Sequence, residues 1–280
     1  MNGRSGLAIE RVAETGSTNS DLLERVHALA ASAPATAGPP GFAPCVRVAV
    51  RQRAGRGRHG RSWHATPGAS LTFSIAWPFT RVDLSGLSLA VGTSLADSLE
   101  PIGSPGRIRL KWPNDLWLLD DDGATGAAPG RKLGGVLIET APFGRGRVAV
   151  VGIGLNVAAQ QVDDAASGCA WWGEVEPGAT PDAALERVLA PLAEALDRFE
   201  RHGFAPFVAP FAARDLLCGK RVVATGAEGP VEGMASGVSP RGELLVRTDG
   251  GTVPVSSGEV RLRWTVDAHA SPPQWAGSPC

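Results

Sequence analysis

Alternation of apolar and polar positions predicts strands at several places along the chain. Val46, Val48 and Val50 alternate with Arg47, Ala49 and Arg51, the pattern of a strand with one buried face. Leu71, Phe73, Ile75 and Trp77 repeat it, as do Ile108, Leu110 and Trp112 against Arg107, Arg109 and Lys111. Pro113 fixes φ and ends that third ladder. Short strands are expected over 116–119, 136–139 and 148–151. Helical spacing takes over elsewhere. Leu22, Leu23, Val26, Leu29 and Ala30 share a face behind Ser17-Thr18-Asn19-Ser20-Asp21. Leu87, Ala90, Val91, Leu95 and Leu99 share another, with a cap expected near Ser85. Thr180-Pro181 places a cap before a proline at the first helical position. The stripe Leu185, Val188, Leu189, Leu192, Leu196 and Phe199 follows, and Gly203 ends it. Pro191 predicts a kink or a split in that helix. Residues 1–16 give no clear element.

From Gly219 onward the pattern becomes short strands separated by Gly and Pro, expected over 220–225, 231–238, 243–248, 251–255 and 260–263. That is a small β-barrel, stable chiefly by packing on a larger domain. The expected division is therefore a domain over 1–216, a second over 217–264, and a loose Pro/Ser/Ala-rich tail over 265–280. Residues 31–44 and 120–130 read as surface loops. The run Asp120-Asp121-Asp122 sits on such a tip and reads as solvated carboxylates, so no metal site is assigned.

Composition narrows the class. Hydrophobic residues make up 43% and charged residues 20% of the 280, ordinary for a globular protein. The net charge of −1 argues against nucleic-acid binding through an overall field. The barrel balances its Lys/Arg against its Asp/Glu, which also argues against such binding. Four cysteines at 45, 169, 218 and 280 form no C-x-x-C pair and no zinc spacing, and read as thiols of a cytoplasmic protein. No apolar run is long enough for a membrane helix and no signal peptide is evident, so neither membrane nor export is expected.

Candidate chemistry concentrates in Gly55-Arg56-Gly57-Arg58-His59-Gly60-Arg61-Ser62-Trp63. Its glycines allow close approach of backbone amides to a ligand, and its arginines donate to carboxylate or phosphate. Asn114-Asp115 stands at a strand end, where a turn or a site is built on rigid backbone. Lys132 beside Gly134-Gly135 suits a phosphate or carboxylate contact. Gly154 and Asn156 suit either a strand crossing or a nucleotide edge. Ser17-Thr18-Asn19 suits a helix cap or a polar ligand. Trp171-Trp172 suits packing or a stacked base. Gly55-x-Gly57-x-x-Gly60 also fits a dinucleotide loop, but residues 61–67 do not open a helix.

Five of these stretches, in this order, resemble the biotin–protein ligases. They are Ser17–Asn19, the loop Gly55–Trp63, Lys111-Trp112-Pro113-Asn114-Asp115, the run from Lys132 to Glu139, and Gly152–Asn156. The resemblance covers about residues 10–263. It implies an α+β fold, a mixed sheet with helices related to class II aminoacyl-tRNA synthetases, followed by an SH3-like barrel. It implies a ligase that makes biotinyl-5′-AMP from ATP and biotin, with Mg²⁺, and passes biotin to a lysine of a biotin carboxyl carrier protein of acetyl-CoA carboxylase or a related carboxylase. By resemblance Arg56, Arg58 and Lys132 stabilise the charged phosphorus and Asp115 orients the acceptor lysine. Ser17, Thr18, Asn19, Gln52 and Gly57 join Arg56, Arg58 and Lys132 around biotin. Arg58, Trp63, Asn114, Lys132 and Asn156 serve the nucleotide. Loop 55–63 is expected to be mobile without ligand. Only sixteen residues precede Ser17, so a monofunctional ligase without a DNA-binding domain is expected, as monomer or homodimer. His59 stands where the family often has arginine. A lipoate or octanoate ligase or transferase of the same fold is the near alternative, and a non-catalytic biotin-binding protein the more distant one.

Overall fold

The computed structural model describes residues 7–32, 41–81, 83–100, 106–120, 130–160, 168–226 and 229–262. The expectations for Asp121 and Asp122, most of loop 31–44, Cys280 and the tail 265–280 lie outside these residues. The elements are β1 (Ala8–Thr15), α1 (Thr18–Ser32), β2 (Cys45–Gln52), β3 (Ser70–Phe79) and α2 (Leu87–Leu99). Next come β4 (Ile108–Lys111), β5 (Asp115–Leu119), β6 (Gly130–Phe143), β7 (Gly146–Asn156), α3 (Pro181–His202) and α4 (Val208–Ala212). The last five strands are β8 (Arg221–Gly226), β9 (Gly229–Val238), β10 (Leu244–Thr248), β11 (Gly251–Val255) and β12 (Glu259–Leu262).

Seven strands form one mixed sheet in the order β1-β2-β3-β7-β6-β5-β4. β1 runs parallel to β2, and the other neighbours are antiparallel. β3 is buried at all ten positions because both faces are covered. On one side α1 packs Leu22 and Val26 over Ala76, Val148 and Val150. On the other, α2 and α3 pack Leu95, Leu99, Leu192 and Phe199 over Phe73, Ile75 and Trp77. Leu185, Val188, Leu192, Leu196 and Phe199 are the buried stripe of α3, capped by Thr180 Oγ1 accepting from Ala183 N at 3.2 Å. The remaining strands form an antiparallel five-stranded sheet, order β11-β10-β9-β8-β12, the SH3-like unit. Its Val222, Leu244 and Val246 belong to the same core cluster as α2 and α3.

Several sequence expectations are corrected. Residues 8–15 form a strand, β1, whose alternation is blurred because five of its eight positions are exposed. α2 is capped at Gly86 (φ 80°), one residue past Ser85 and without the side-chain bond a serine would give. α3 is not split at Pro191 but runs on as one 22-residue helix. Cys45 and Cys169 are free thiols as expected, but Cys218 is in a disulfide.

The segment that leads from α4 into β8 is tied to β4 by backbone. Leu110 N donates to Arg214 O at 2.8 Å and Leu216 N to Leu110 O at 2.9 Å. Trp112, almost fully buried, donates its indole N–H to Gly242 O at 3.0 Å. A Cβ at Gly242 would lie 2.6 Å from the Gly86 Cα, so only glycine allows this contact.

Candidate active site

The cleft is built where β1 hands over to α1. Parallel pairing sets Thr15 opposite Gln52, and Arg53 N and Ala54 N donate to Thr15 O and Gly16 O, each at 2.9 Å. This zipper brings the corner Ser17-Thr18-Asn19 beside Gln52, with all three corner residues buried. Gln52 Oε1 accepts from Thr18 N at 2.7 Å and lies 3.1 Å from Thr18 Oγ1. Thr18 Oγ1 is 2.7 Å from Ser74 Oγ, and Ser74 Oγ is 2.5 Å from Asn19 Oδ1. Asn19 Nδ2 donates to Glu139 Oε2 at 2.9 Å. Gly152 gives Asn19 its place, since a Cβ there would lie 2.3 Å from Asn19 Oδ1.

The Gly/Arg loop closes on itself. Gly57 N donates to Arg61 O at 2.7 Å, Trp63 N to Gly55 O at 2.9 Å, and Arg56 bridges Ser62. Its tip is a three-residue turn, Arg58–Gly60, with His59 left-handed at φ 53°. No helix follows, as the sequence implied. Trp63 lies on Gly154, where a Cβ would come within 2.3 Å of the ring. The loop side chains reach three places. Arg56 pairs with Glu139 at 2.5 Å. Arg58 donates to Gly258 O at 3.3 Å, and Arg61 pairs with Glu259 at 2.6 Å, so β12 of the small sheet and the glycine before it wall the cleft.

Across from the loop, Lys132 Nζ is 2.7 Å from Asp115 Oδ1 and 6.0 Å from the centre of the Trp63 ring. A register shift between Leu116 and Trp117 aims Lys132 at Asp115 although Trp117 is its strand partner. Lys111, on β4 opposite Asp115, lies 4.8 Å from the centre of the Trp117 ring. Burial pushes its ammonium below the usual lysine range; Asp115 opposes that shift, while Lys132 and Arg61 reinforce it. Burial likewise lowers the Arg58 guanidinium, against the pull of Asp115 and Glu259. The cleft holds about 980 Å³ of space open to solvent. Crowded, partly desolvated cations of this kind are stabilised by an incoming anion.

Of the residues singled out from sequence, Ser17, Thr18, Asn19, Gln52, Arg56, Gly57, Arg58, Trp63, Asn114, Asp115 and Lys132 line this one cleft. Asn114 does so with its amide engaged, donating to Val136 O at 2.9 Å. Asn156 does not line it. It is buried, donates to Ala170 O at 3.1 Å and accepts from Gln160 at 2.7 Å. Trp172 is buried against Leu99 O at 2.7 Å, and Trp171 lies 5.8 Å from Arg131, so neither Trp belongs to the cleft lining. Sequence reading quoted Lys111 and Glu139 within motifs but gave them no role, and it did not single out Ser74 or the β12 wall. Ser70, Thr72 and Ser74 alternate within a strand otherwise apolar, and that was a usable signal for Ser74.

Residues 42–156 match the model of the biotin/lipoate A/B protein ligase family, and 217–263 match the biotin protein ligase C-terminal domain. The bifunctional ligase/repressor BirA of Salmonella typhimurium is 34% identical over 77% of this chain, which spans 66% of that relative's length. The biotin–[acetyl-CoA-carboxylase] ligase of Mycobacterium tuberculosis is 36% identical over 90% of this chain and 88% of its own. Among solved structures, the Aquifex aeolicus biotin protein ligase in complex with biotin and ATP superposes with a TM-score of 0.72 at 29% identity, over 92% of this chain and 99% of that one. With a relative 36% identical over 88% of its own length and the signature residues gathered on one cleft, the chain belongs to the biotin protein ligase family.

Proposed function

We propose that this chain activates biotin with ATP and transfers it to a lysine of a biotin carboxyl carrier domain. The observation that carries the reading is one cleft with a buried polar corner at one end and a cluster of cations at the other. The corner of Ser17, Thr18 and Gln52 suits the uncharged ureido ring. The cations Arg56, Arg58 and Lys132 suit a carboxylate meeting a phosphate. In the first step a biotin carboxylate oxygen bonds to the α-phosphorus, the bond to the bridging oxygen breaks, and pyrophosphate leaves. Repulsion between the two anions is about 4 kcal/mol at ~4 Å and an effective dielectric near 20. The arginines and Lys132 offset it. Mg²⁺ enters with ATP as substrate, held mainly by phosphate oxygens and water as that ion usually is.

In the second step the acceptor amine attacks the acyl carbon. A C–N bond forms, the bond to AMP breaks, and a proton leaves the nitrogen. Asp115 takes the orienting role, freed when Lys132 turns to the phosphate. Asn114 and Asn156 support the nucleotide side by fixing strand ends, and Trp63 supplies an apolar wall. Residues 1–216 act as the catalytic unit and 217–264 close its cleft.

ATP–pyrophosphate exchange with biotin, octanoate, lipoate or no acid tests the reading, followed by biotin transfer to a carrier domain. Exchange that depends on biotin is expected. Exchange with octanoate or lipoate alone would overturn the substrate, and biotin binding without exchange would favour a non-catalytic protein.

A further inference from the structure

The buried polar corner is one hydrogen short. Four oxygens lie in a row, Asn19 Oδ1, Ser74 Oγ, Thr18 Oγ1 and Gln52 Oε1, separated by 2.5, 2.7 and 3.1 Å. Each contact needs a hydrogen between its oxygens. Neighbours fix which end of each amide faces in. Gln52 must turn its oxygen to the backbone N–H of Thr18, 2.7 Å away. Glu139 Oε2 is held by Arg56 at 2.5 Å and accepts at 2.9 Å from Asn19, so Asn19 turns its NH₂ outward and its oxygen to Ser74. Leu137 O, at 3.4 Å, is a longer acceptor on the same side. Ser74 and Thr18 then supply two hydrogens for three contacts. The two shorter contacts take them: Ser74 donates to Asn19, and Thr18 donates to Ser74. Thr18 Oγ1 and Gln52 Oε1 are left facing each other with no hydrogen between them, Gln52 Oε1 keeping only its bond from Thr18 N. With Asn19 reversed, its NH₂ would supply the third hydrogen and the row would close on itself.

We propose that Glu139 is a specificity-determining positioning residue: acting through Asn19 and Ser74, it keeps Thr18 and Gln52 as paired acceptors, so the cleft selects a ring that carries N–H donors. The inference rests on the biotin reading and deepens it. A cyclic urea brings the missing hydrogen, whereas a dithiolane or an alkyl chain brings none. Two oxygens held 3.1 Å apart with no hydrogen between them repel, so an entering N–H donor gains from relieving that contact as well as from the bond it makes.

The test is calorimetric titration, without ATP, with biotin and with the two cyclic carbamate analogues in which oxygen replaces one or the other ureido N–H. The unaltered protein should prefer biotin to the weaker carbamate by roughly tenfold. In Glu139→Gln the new amide both donates and accepts, Asn19 is free to reverse, and the preference should fall below about threefold. Ser74→Ala gives the Thr18 hydrogen to Gln52 and should produce the same collapse while leaving the Arg56–Glu139 pair intact. That second variant separates the hydrogen shortfall from release of Arg56. If one variant does not fold, the other carries the test alone. Biotin binding with the preference retained in either folded variant overturns this inference alone. No biotin binding by the unaltered protein overturns the underlying reading as well.

Discussion

Lys132→Met removes one charge and keeps an unbranched stem against Trp63. The ammonium lies 2.7 Å from Asp115, and its side chain is 38% exposed. A pair that exposed contributes about 0–1 kcal/mol to folding. The melting temperature should therefore fall by no more than about 3 °C. The rate effect is of another size. Carboxylate and phosphate repel by about 4 kcal/mol at ~4 Å in this dielectric regime. Arg58 and Lys111 remain in the cleft, so losing one cation should cost roughly 2–4 kcal/mol in the transition state, about 30- to 1000-fold. The charge develops during reaction, so the loss should fall on kcat and leave the KM for biotin nearly unchanged. Biotin-dependent ATP–pyrophosphate exchange at saturating substrate reads it. Exchange within about threefold of the unaltered protein would refute the reasoning. So would a fall matched by gross loss of thermal stability, which would make Lys132 structural.

Three further outcomes are expected. Gly152→Ala puts a Cβ 2.3 Å from Asn19 Oδ1, so the asparagine must leave its place; biotin affinity measured by titration should fall about tenfold or more. Asp215 is half-buried, its Oδ2 shut off from solvent and unpartnered, and desolvation raises its carboxyl from 3.8 to about 6, against the Leu217 and Cys218 N–H groups and Lys220. The unfolded chain ionises first as pH rises, so this group costs no stability below pH ~4. The cost grows between pH 4 and 6 and levels off above, at about 3 kcal/mol. Urea unfolding of Asp215→Asn should lack that decline. Hydrogen exchange should show Gly57 and Trp63 amides already protected by their loop bonds, with protection at 58–60 appearing on adding biotin and ATP.

The legible parts of the fold were those where one face is wet. α3 shows a clean stripe because a solvated side sets the contrast, whereas β2 was legible as a strand but not in its faces, since Ala49 is buried and Val50 is 55% exposed. β1 was missed because an edge strand with mostly exposed positions has no buried face to register. The Gly/Arg loop, Asp115 and Lys132 announced themselves because charge beside glycine is costly unless it has a use. Glu139 did not, since within an apolar strand it reads as an outward residue. Its meaning lies in Asn19, 120 positions earlier in the chain. The β12 wall was hidden for the same reason: Arg58 finds Gly258, 200 residues away. Local pattern carries no trace of such pairings. Asn156 shows the opposite limit, where a motif residue serves the scaffold rather than lining the cleft.

The reach from Arg58 to Gly258 also bears on synthesis. The corner at Ser17–Asn19 and the wall at Gly258–Val260 come from opposite ends of the described chain. Translation delivers the first long before the last. A nascent chain therefore carries the polar corner and the arginine loop with one side open to water. A reactive acyl-adenylate formed there would hydrolyse or acylate bystander amines. Because β12 is the last of the described strands to be translated, the cleft gains its second wall only after the chain through Leu262 has emerged.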